Sequence, residues 1–383
     1  MRIDQPWLND PATQAVCQAV AADGAQVLFV GGCVRNALLE EPVSDMDIAT
    51  DTLPEQVMAL AARAGIKAVP TGIDHGTVTL VKDGIPHEIT TFRKDVATDG
   101  RRAVVAFSKD IAEDARRRDF TMNAIYARPD GEVVDPLGGM ADLQARRVRF
   151  IGAAQNRIRE DYLRSLRYFR FHAWYGDHAE GFDAEALAAI AANLDGLTTL
   201  SKERIGAELL KLLAAPDPAP SIAAMRQSGA LIKVLPGADD RALAPLIHLE
   251  GDRAASPIRR LAALGGERVQ EALRLSKAQA VQLAAIREAA EGTDGAVKLG
   301  YKLGARQAMD ALLLRAALLE QPVVPHSENE IARGAAAVFP VKSRDLLPSF
   351  KGPALGAALK KLETDWIASD FTLTREELLD SLR

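Results

Sequence analysis

Cysteine is nearly absent from this chain: Cys17 and Cys33 are the only two in 383 residues. Two thiols build neither a disulfide framework nor a zinc site, and they suit a reducing compartment, so a cytoplasmic location is expected. Long apolar runs are missing as well. No stretch reaches the roughly 18 apolar residues of a membrane-spanning helix, and the opening MRIDQPWLND lacks the apolar core of a signal peptide. Aromatic residues make up only 5 % of the chain, whereas Ala and Leu are abundant, which favours a largely helical protein. Nor is there a general excess of positive charge. The formal net charge is −5, so any binding to nucleic acid must come from local basic patches. Tandem repeats and low-complexity segments are absent too.

What is present is organised around VGGCVRNALLEEPVSDMDIAT, residues 30–50. A short apolar strand, Gln26 to Val30, ends in Gly31-Gly32, where the backbone can turn sharply and approach a ligand closely. A short helix is expected over Val34–Leu39. Its N-terminal N–H groups would face the glycine turn, a position that favours phosphate, and Arg35 adds a planar fork suited to phosphate oxygens. The segment Ser44-Asp45-Met46-Asp47-Ile48-Ala49 alternates like a strand, which would put Asp45 and Asp47 on one face. Two such carboxylates repel unless a cation sits between them, and oxygen ligands suit Mg²⁺. Alone, a Gly-Gly turn or an Asp-x-Asp is weak. Together, with twelve residues between Gly32 and Asp45, they read as a phosphate cradle followed by a metal pair.

Further along, Thr52-Leu53-Pro54-Glu55 looks like a capped helix start. GTVTLVK (76–82), Asp83-Gly84 and HEITTF (87–92) then read as a hairpin with a two-residue turn. Glu88 lies in its second strand, placed to be a third carboxylate of the same sheet or an ordinary exposed strand charge. His75 reads as a polar turn residue. RKDVATDGRR (93–102) is polar and aperiodic and is expected to be a mobile loop. Asp114 to Ala124 then mixes Arg116, Arg117 and Arg118 with Asp119, Phe120, Thr121 and Asn123, ahead of a closing strand at Glu132–Asp135. Arginine suits phosphate there, and Asp or Asn suits sugar hydroxyls.

The last strand is expected at Arg147–Ile151, and helices dominate from there on. Ala153–Tyr175 reads as one long helix, with Asp161 and Arg164 one turn apart off its apolar face. The segment Arg146–Arg170 holds eight arginines and only two acids. Such a concentration in an acidic chain suggests a surface for nucleotides or nucleic acid. A further helix, SKERIGAELLKLLA at 201–214, starts on a Ser cap.

Taken together, these stretches resemble the DNA polymerase beta-like nucleotidyltransferases. Within them they resemble the class II tRNA nucleotidyltransferases, the CCA-adding enzymes, and their relatives the bacterial poly(A) polymerases. Five motifs carry the likeness over residues 25–215: Gly31-Gly32-x-x-Arg35 with Asp45-x-Asp47; Glu88 in HEITTFR; Arg117-Arg118-Asp119-Phe120-Thr121-x-Asn123-Ala124; Glu160-Asp161-x-x-Arg164-x-x-Arg167; and SKERI. Asn36 stands where the first motif usually has Asp. GIDHGTVTL at 72–80 looks more like the CCA-adding members.

The resemblance implies an α+β fold: a small mixed-sheet nucleotidyltransferase head (1–138), a helical neck with base recognition (139–235), and a helical body and tail that bind RNA (236–383). It implies addition of C and A from CTP and ATP to the 3′ end of tRNA by a two-metal mechanism that releases pyrophosphate. Asp45, Asp47 and Glu88 would be catalytic, and Asp45 and Asp47 would hold Mg²⁺. Gly31, Gly32, Arg35, Arg117, Arg118, Asp119 and Asn123 would bind nucleotide and phosphate. Asp161, Arg164 and Arg167 would read the base. Partners would be tRNA, ATP and CTP, with no membrane and no protein partner inferred. Poly(A) polymerase, or an enzyme adding only A or only CC, stays open beside this reading. So, more remotely, do a small-molecule nucleotidyltransferase and a catalytically silent RNA-binding protein.

Overall fold

A computed structural model describes residues 1–98 and 103–382. The chain divides into two compact units, Met1–Pro236 and Gly237–Arg383. The expected head and neck thus lie in one unit, and the expected body and tail form the other.

The first unit opens with α1 (Pro11–Ala21), β1 (Val27–Val30), α2 (Gly32–Leu38), β2 (Asp47–Thr50) and α3 (Pro54–Arg63). Asp10 caps α1 by accepting from the Ala12 and Thr13 N–H groups. The N-cap of α3 is Leu53, with no side-chain cap, so Thr52 does not play the capping part its sequence pattern suggested. Next come β3 (Lys67–Gly72), β4 (Thr77–Lys82) and β5 (Ile85–Thr91). Asp83 and Gly84 both have positive φ, the geometry that a two-residue hairpin turn demands.

Then follow β6 (Arg93–Thr98), β7 (Ala103–Phe107), α4 (Ile111–Arg116), β8 (Tyr126–Ala127) and β9 (Val133–Val134). The expected loop at 93–102 is therefore largely a hairpin, paired from Arg93↔Phe107 to Thr98↔Ala103. The tip of that expected loop, 99–102, lies outside the described residues. Its polar sequence concealed the strands because a two-stranded ladder rests on backbone hydrogen bonds and needs no apolar face.

Seven strands form one mixed sheet in the order β3-β4-β5-β2-β1-β8-β9. Only β2 and β5 run parallel, with Asp47 opposite Glu88 and Ile48 opposite Ile89; the other neighbours are antiparallel. The central strands are buried on both faces. Leu28, Val30 and Ala49 join Phe92, Ala115, Ala124 and Tyr126 in one apolar cluster. The alternate residues Phe29 and Ile48 are also fully buried.

After the sheet come α5 (Gly139–Gln144), α6 (Ala154–Glu160) and α7 (Leu163–Tyr175). The strand expected at 147–151 shrinks to a single bridge, Phe120↔Phe150. Its apolar alternation serves an aromatic cluster instead. Phe120 packs 5.0 Å from Phe150 and 4.9 Å from Phe171, and Phe150 stacks on Tyr168 at 5.6 Å. After α8 (Ala184–Ala191) come α9 (Lys202–Leu213), α10 (Ala219–Gln227) and α11 (Ala230–Val234). The Ser201 hydroxyl caps α9 through the Arg204 N–H, as its sequence suggested.

The named elements of the second unit's described residues are helices: α12 (Leu243–Glu250), α13 (Pro257–Leu264), α14 (Val269–Leu273), α15 (Lys277–Glu291), α16 (Ala296–Leu318), α17 (Ser327–Ala336), α18 (Pro353–Ala368) and α19 (Arg375–Asp380). A buried charge cluster ties three of them. Arg259 meets Glu250 at 2.7 Å and Asp310 at 2.5 Å, and Arg260 meets Glu250 at 2.6 Å. Every one of these side chains is nearly sealed from solvent, so each charge depends on its partners. No helix among the described residues is long and apolar enough to cross a membrane.

Helices α16 and α17 touch backbone to backbone. A Cβ on Gly334 would sit 1.8 Å from the Val297 carbonyl oxygen, whereas one on Gly356, in α18, would meet nothing within 4 Å. Gly334→Ala is expected to destabilise the protein by about 1–3 kcal/mol through overpacking. Gly356→Ala should be neutral or stabilising by up to about 1 kcal/mol, because it lowers the entropy of the unfolded chain. Thermal unfolding of the two variants checks this, and equal Tm values would refute the close packing of α16 on α17.

Candidate active site

The Gly31-Gly32 turn joins β1 to α2. Gly31 is the N-cap of α2 with φ 75° and ψ −124°, a backbone that an L side chain adopts only with strain. A Cβ there would lie 3.6 Å from Arg118 Nη1 and 4.0 Å from Asp47 Oδ2. The turn therefore brings its backbone against one cation and one carboxylate. Asp47 is the first residue of β2, with Glu88 beside it in register on β5. Asp45 lies just before the strand rather than within it, and the Ser44 hydroxyl donates to its Oδ2 at 3.0 Å.

The electrostatics of this corner are unfavourable for an isolated carboxylate. Burial raises the Asp47 pKa, and the charges of Glu88 and then Asp45 raise it further, while Arg118 works the other way. A cation beside Asp45 and Asp47 would relieve that repulsion. Among the described residues, no group of three or more His, Cys, Asp or Glu side chains is arranged to hold a metal alone. Two carboxylates completed by phosphate oxygens are the kind of set Mg²⁺ uses, so the residues present fit that ion.

The arginine run is built on Asp114. This fully buried carboxylate receives Arg117 at 2.6 Å, Arg118 at 3.0 Å and the Tyr126 hydroxyl at 2.7 Å. Although burial alone would raise its pKa, Arg118 and Arg117 hold it below the usual carboxylate value. Asp114 opens the arginine motif, and its pairing was legible as i,i+3 and i,i+4 spacing to Arg117 and Arg118. The part of Tyr126 left no such signal.

Asp119 is the next hub. Its Oδ2 accepts from Arg167 Nε at 2.8 Å, and its Oδ1 from the Asn123 amide at 2.8 Å and the Phe120 N–H at 2.9 Å. Burial would raise its pKa, but Arg167 and then Asn123 pull it down to about 2. Asn123 in turn accepts from Arg35 at 2.6 Å. Arg35, expected to offer its fork to phosphate, is only 7 % exposed. It donates to Asn123, to the Tyr175 hydroxyl at 2.8 Å and twice to Asn36, and it lies 4.0 Å from the Tyr175 ring centre. Its observed work is to tie α2 to α7. The amide of Asn36 donates to the Pro42 carbonyl at 2.7 Å, a bond that an Asp carboxylate could not give.

The expected single helix over 153–175 is broken, and with it the picture of Asp161 and Arg164 on one helix face. Asp161 sits between α6 and α7 with extended φ −152° and ψ 107°. Its carboxylate accepts from the Leu163 N–H at 3.1 Å, a local bond that competes with the helical ladder. Next to it, the Tyr162 ring fills the space where Gly196 would otherwise carry a Cβ, 2.0 Å away. Periodicity ran straight through this break because Leu166, Phe169 and Ala173 keep the apolar face of α7. Asp161 meets Arg204 of α9 at 2.8 Å. Arg164 bonds Glu160 at 2.5 Å, the Arg157 carbonyl at 2.9 Å and the Arg117 carbonyl at 3.3 Å. Arg157 clamps the carbonyls of Arg117 and Arg118, both at 2.6 Å. Many arginines of this dense segment therefore bind protein; Arg157 lies outside the motif positions, and Arg204 lies within SKERI without having been given a role.

A mixed sheet carrying paired carboxylates beside a glycine turn, followed by arginine-rich helices, defines a nucleotidyltransferase. Residues 27–149 match the family described as "Poly A polymerase head domain", and 181–241 the one described as "Probable RNA and SrmB- binding site of polymerase A". The CCA-adding enzyme of Geobacillus thermodenitrificans is 34 % identical over 98 % of this chain and 92 % of that one. The mitochondrial CCA tRNA nucleotidyltransferase 1 of Homo sapiens is 38 % identical over 56 % of this chain and 50 % of its own length. The structure of the Bacillus stearothermophilus CCA-adding enzyme in complex with CTP superposes with a TM-score of 0.80 at 28 % identity, covering 99 % of this chain and 98 % of that one. The chain belongs to the CCA-adding enzyme family.

Two stability tests follow from the charges. The raised pKa of Asp47 means that the fold binds its proton more tightly than the unfolded chain does, so stability falls as pH rises from the usual carboxylate range through the raised value. In metal-free buffer at neutral pH, Asp47→Asn should therefore equal or exceed the parent in Tm while losing nucleotide incorporation. The Tm advantage should vanish at acidic pH.

Asp119 has the opposite sign. Its depressed pKa stabilises the fold above the ordinary value of 3.8 and ceases to do so as pH falls towards about 2. Asp119→Asn should cost about 2 kcal/mol at neutral pH. That deficit should shrink below about pH 4 in urea unfolding; a deficit independent of pH would refute the charge-based account.

Proposed function

We propose that this protein adds C and A nucleotides from CTP and ATP to the 3′ end of tRNA and releases pyrophosphate. The observation that carries the reading is the corner formed by Gly31, Asp47, Glu88 and Arg118, in a chain that aligns over 98 % of its length with a CCA-adding enzyme. The RNA 3′-hydroxyl would attack the α-phosphate of the bound nucleotide. Asp45 and Asp47 would hold Mg²⁺, and Glu88 would orient or complete that site. Bound there, the metal would lower the pKa of the attacking hydroxyl and neutralise charge on the leaving pyrophosphate.

The protein's own share is positioning and fixed charge. Arg118, held by Asp114 and Tyr126, offers a guanidinium beside the Gly31 backbone for phosphate oxygens. Arg117, on the same buried carboxylate, adds a second cation. Asp119 and Asn123 are assigned to the sugar hydroxyls. Asp161, Arg164 and Arg167 are assigned to the base: a carboxylate accepts an amino proton, a guanidinium donates to a ring nitrogen, and cytosine and adenine offer both. Residues 1–138 would then be the catalytic head, 139–235 the neck and 236–383 the RNA-binding body and tail. A cytoplasmic location is proposed on the two cysteines, which are both buried free thiols.

The test is to incubate the protein with tRNA ending at the discriminator base, CTP, ATP and Mg²⁺, and to sequence the 3′ ends. CCA ends are expected. Ends with only A, only CC or a homopolymer would replace this reading with one of its relatives. Asp45→Ala and Asp47→Ala, folded by circular dichroism, should each retain less than about a tenth of the incorporation rate with either nucleotide.

A further inference from the structure

Arg204 stands on the first turn of α9, its backbone held by the Ser201 cap, and its guanidinium reaches Asp161 Oδ2 at 2.8 Å. The other oxygen of Asp161 is taken by the Leu163 N–H. A carboxylate offers about four acceptor sites, so these two bonds fix its direction and still leave sites for a base. The pair is open enough to be reached: the side chains are 38 % and 29 % exposed.

The surroundings show why such a hold is needed. Burial would lower the Arg167 pKa, but Asp119 and then, more weakly, Glu208 and Asp161 raise it, so Asp161 stands within the field of this second arginine. Arg164 lies three residues away and is held by Glu160 and two backbone carbonyls. An unrestrained Asp161 would be drawn to one of these arginines, and acceptor and donor would then satisfy each other rather than a base. Each member of the pair instead has its own keeper of opposite charge, Glu160 for Arg164 and Arg204 for Asp161.

We propose that Arg204 is a positioning residue for nucleotide selection, which holds the Asp161 carboxylate turned towards the incoming base and away from Arg164 and Arg167. The proposal rests on the assignment of Asp161 as a base reader. Selection works through polarity. Cytosine and adenine bring an amino donor to the carboxylate, whereas uracil brings a carbonyl oxygen, which a fixed carboxylate repels and a swung-away one admits. Arg204 touches no reacting atom, and an ion pair this exposed adds little to folding.

The experiment measures kcat/KM for CTP, ATP, UTP and GTP on tRNA lacking its terminal CCA. The variants are Arg204→Ala, Arg204→Gln, Arg204→Lys, Asp161→Ala and the double variant Asp161→Ala/Arg204→Ala. Arg204→Ala and Arg204→Gln are expected to lose about tenfold or more of the preference for CTP over UTP, with the KM for tRNA and the Tm little changed. Arg204→Lys, which keeps a charge able to reach Asp161, should restore most of the preference. The double variant should be no less selective than Asp161→Ala alone, because Arg204 acts through Asp161.

Should Asp161→Ala lose selectivity while both neutral Arg204 variants keep it, the positioning role is wrong and the base-reading assignment survives. Should Asp161→Ala itself keep wild-type selectivity, the assignment fails and the proposal with it. An Arg204→Ala protein that does not fold leaves Arg204→Gln and Arg204→Lys to decide.

Discussion

Asp119 is a carboxylate sealed inside the protein, and a charge so placed must be met by partners on every side. Those partners come from far apart in sequence. Arg167 arrives from α7, Asn123 from the turn after the arginine run, and Arg35, one bond further out, from α2. The chain Arg35–Asn123–Asp119–Arg167 therefore links the glycine turn of the head to the helix that carries Arg164. Tyr175 closes the same circuit, taking a bond from Arg35 and lying under its guanidinium. Breaking one link leaves an unpaired buried charge, so this polar chain adds to the aromatic packing of Phe120 on Phe150 and Phe171 in joining the sheet to α7.

The carboxylates of the head obey a different logic from the carboxylates of the linkage. Asp114 and Asp119 are surrounded by arginines that hold them ionised. Asp47 is surrounded by burial, Glu88 and Asp45, which oppose its ionisation, with Arg118 the only opposing cation among the causes of its shift. Two environments within the first unit thus separate acids paired with arginines from acids whose charge the protein leaves unbalanced. The second kind is where an added cation gains the most, and it coincides with the Asp-x-Asp motif.

Much of this was legible in the sequence, because the signals were local. The Gly-Gly turn, the strand carrying Glu88, the Asp-Gly hairpin and the Ser201 cap each follow from a few adjacent residues, whereas the parallel pairing of β5 with β2 does not. The helical remainder also followed, from alternation giving way to period 3.6, and the mixed-sheet head from the resemblance that the motifs carry. What stayed hidden depends on residues distant in sequence. Nothing near Arg35 shows that Tyr175 will occupy its fork. Nothing in Arg147–Ile151 shows that its alternation fills an aromatic cluster instead of extending a ladder. Likewise, Lys67–Gly72 and Arg93–Thr98 are strands in which sheet pairing overrides a weak local pattern.

The break at Asp161 shows how a local rule and a tertiary one interact. Four residues either side read as helix, and an isolated peptide would gain by continuing it. Asp161 offers its own carboxylate to the Leu163 N–H, which replaces one ladder bond, and Gly196 leaves room for the Tyr162 ring to settle against its backbone. Neither bond nor contact alone outweighs a continuous ladder, since each is worth only about 1 kcal/mol. Acting together they turn the carboxylate out of the helix and towards Arg204, which no regular helix would allow. A stretch that departs from its own helical pattern, and is held in that departure by three separate elements, is expected where geometry matters more than stability.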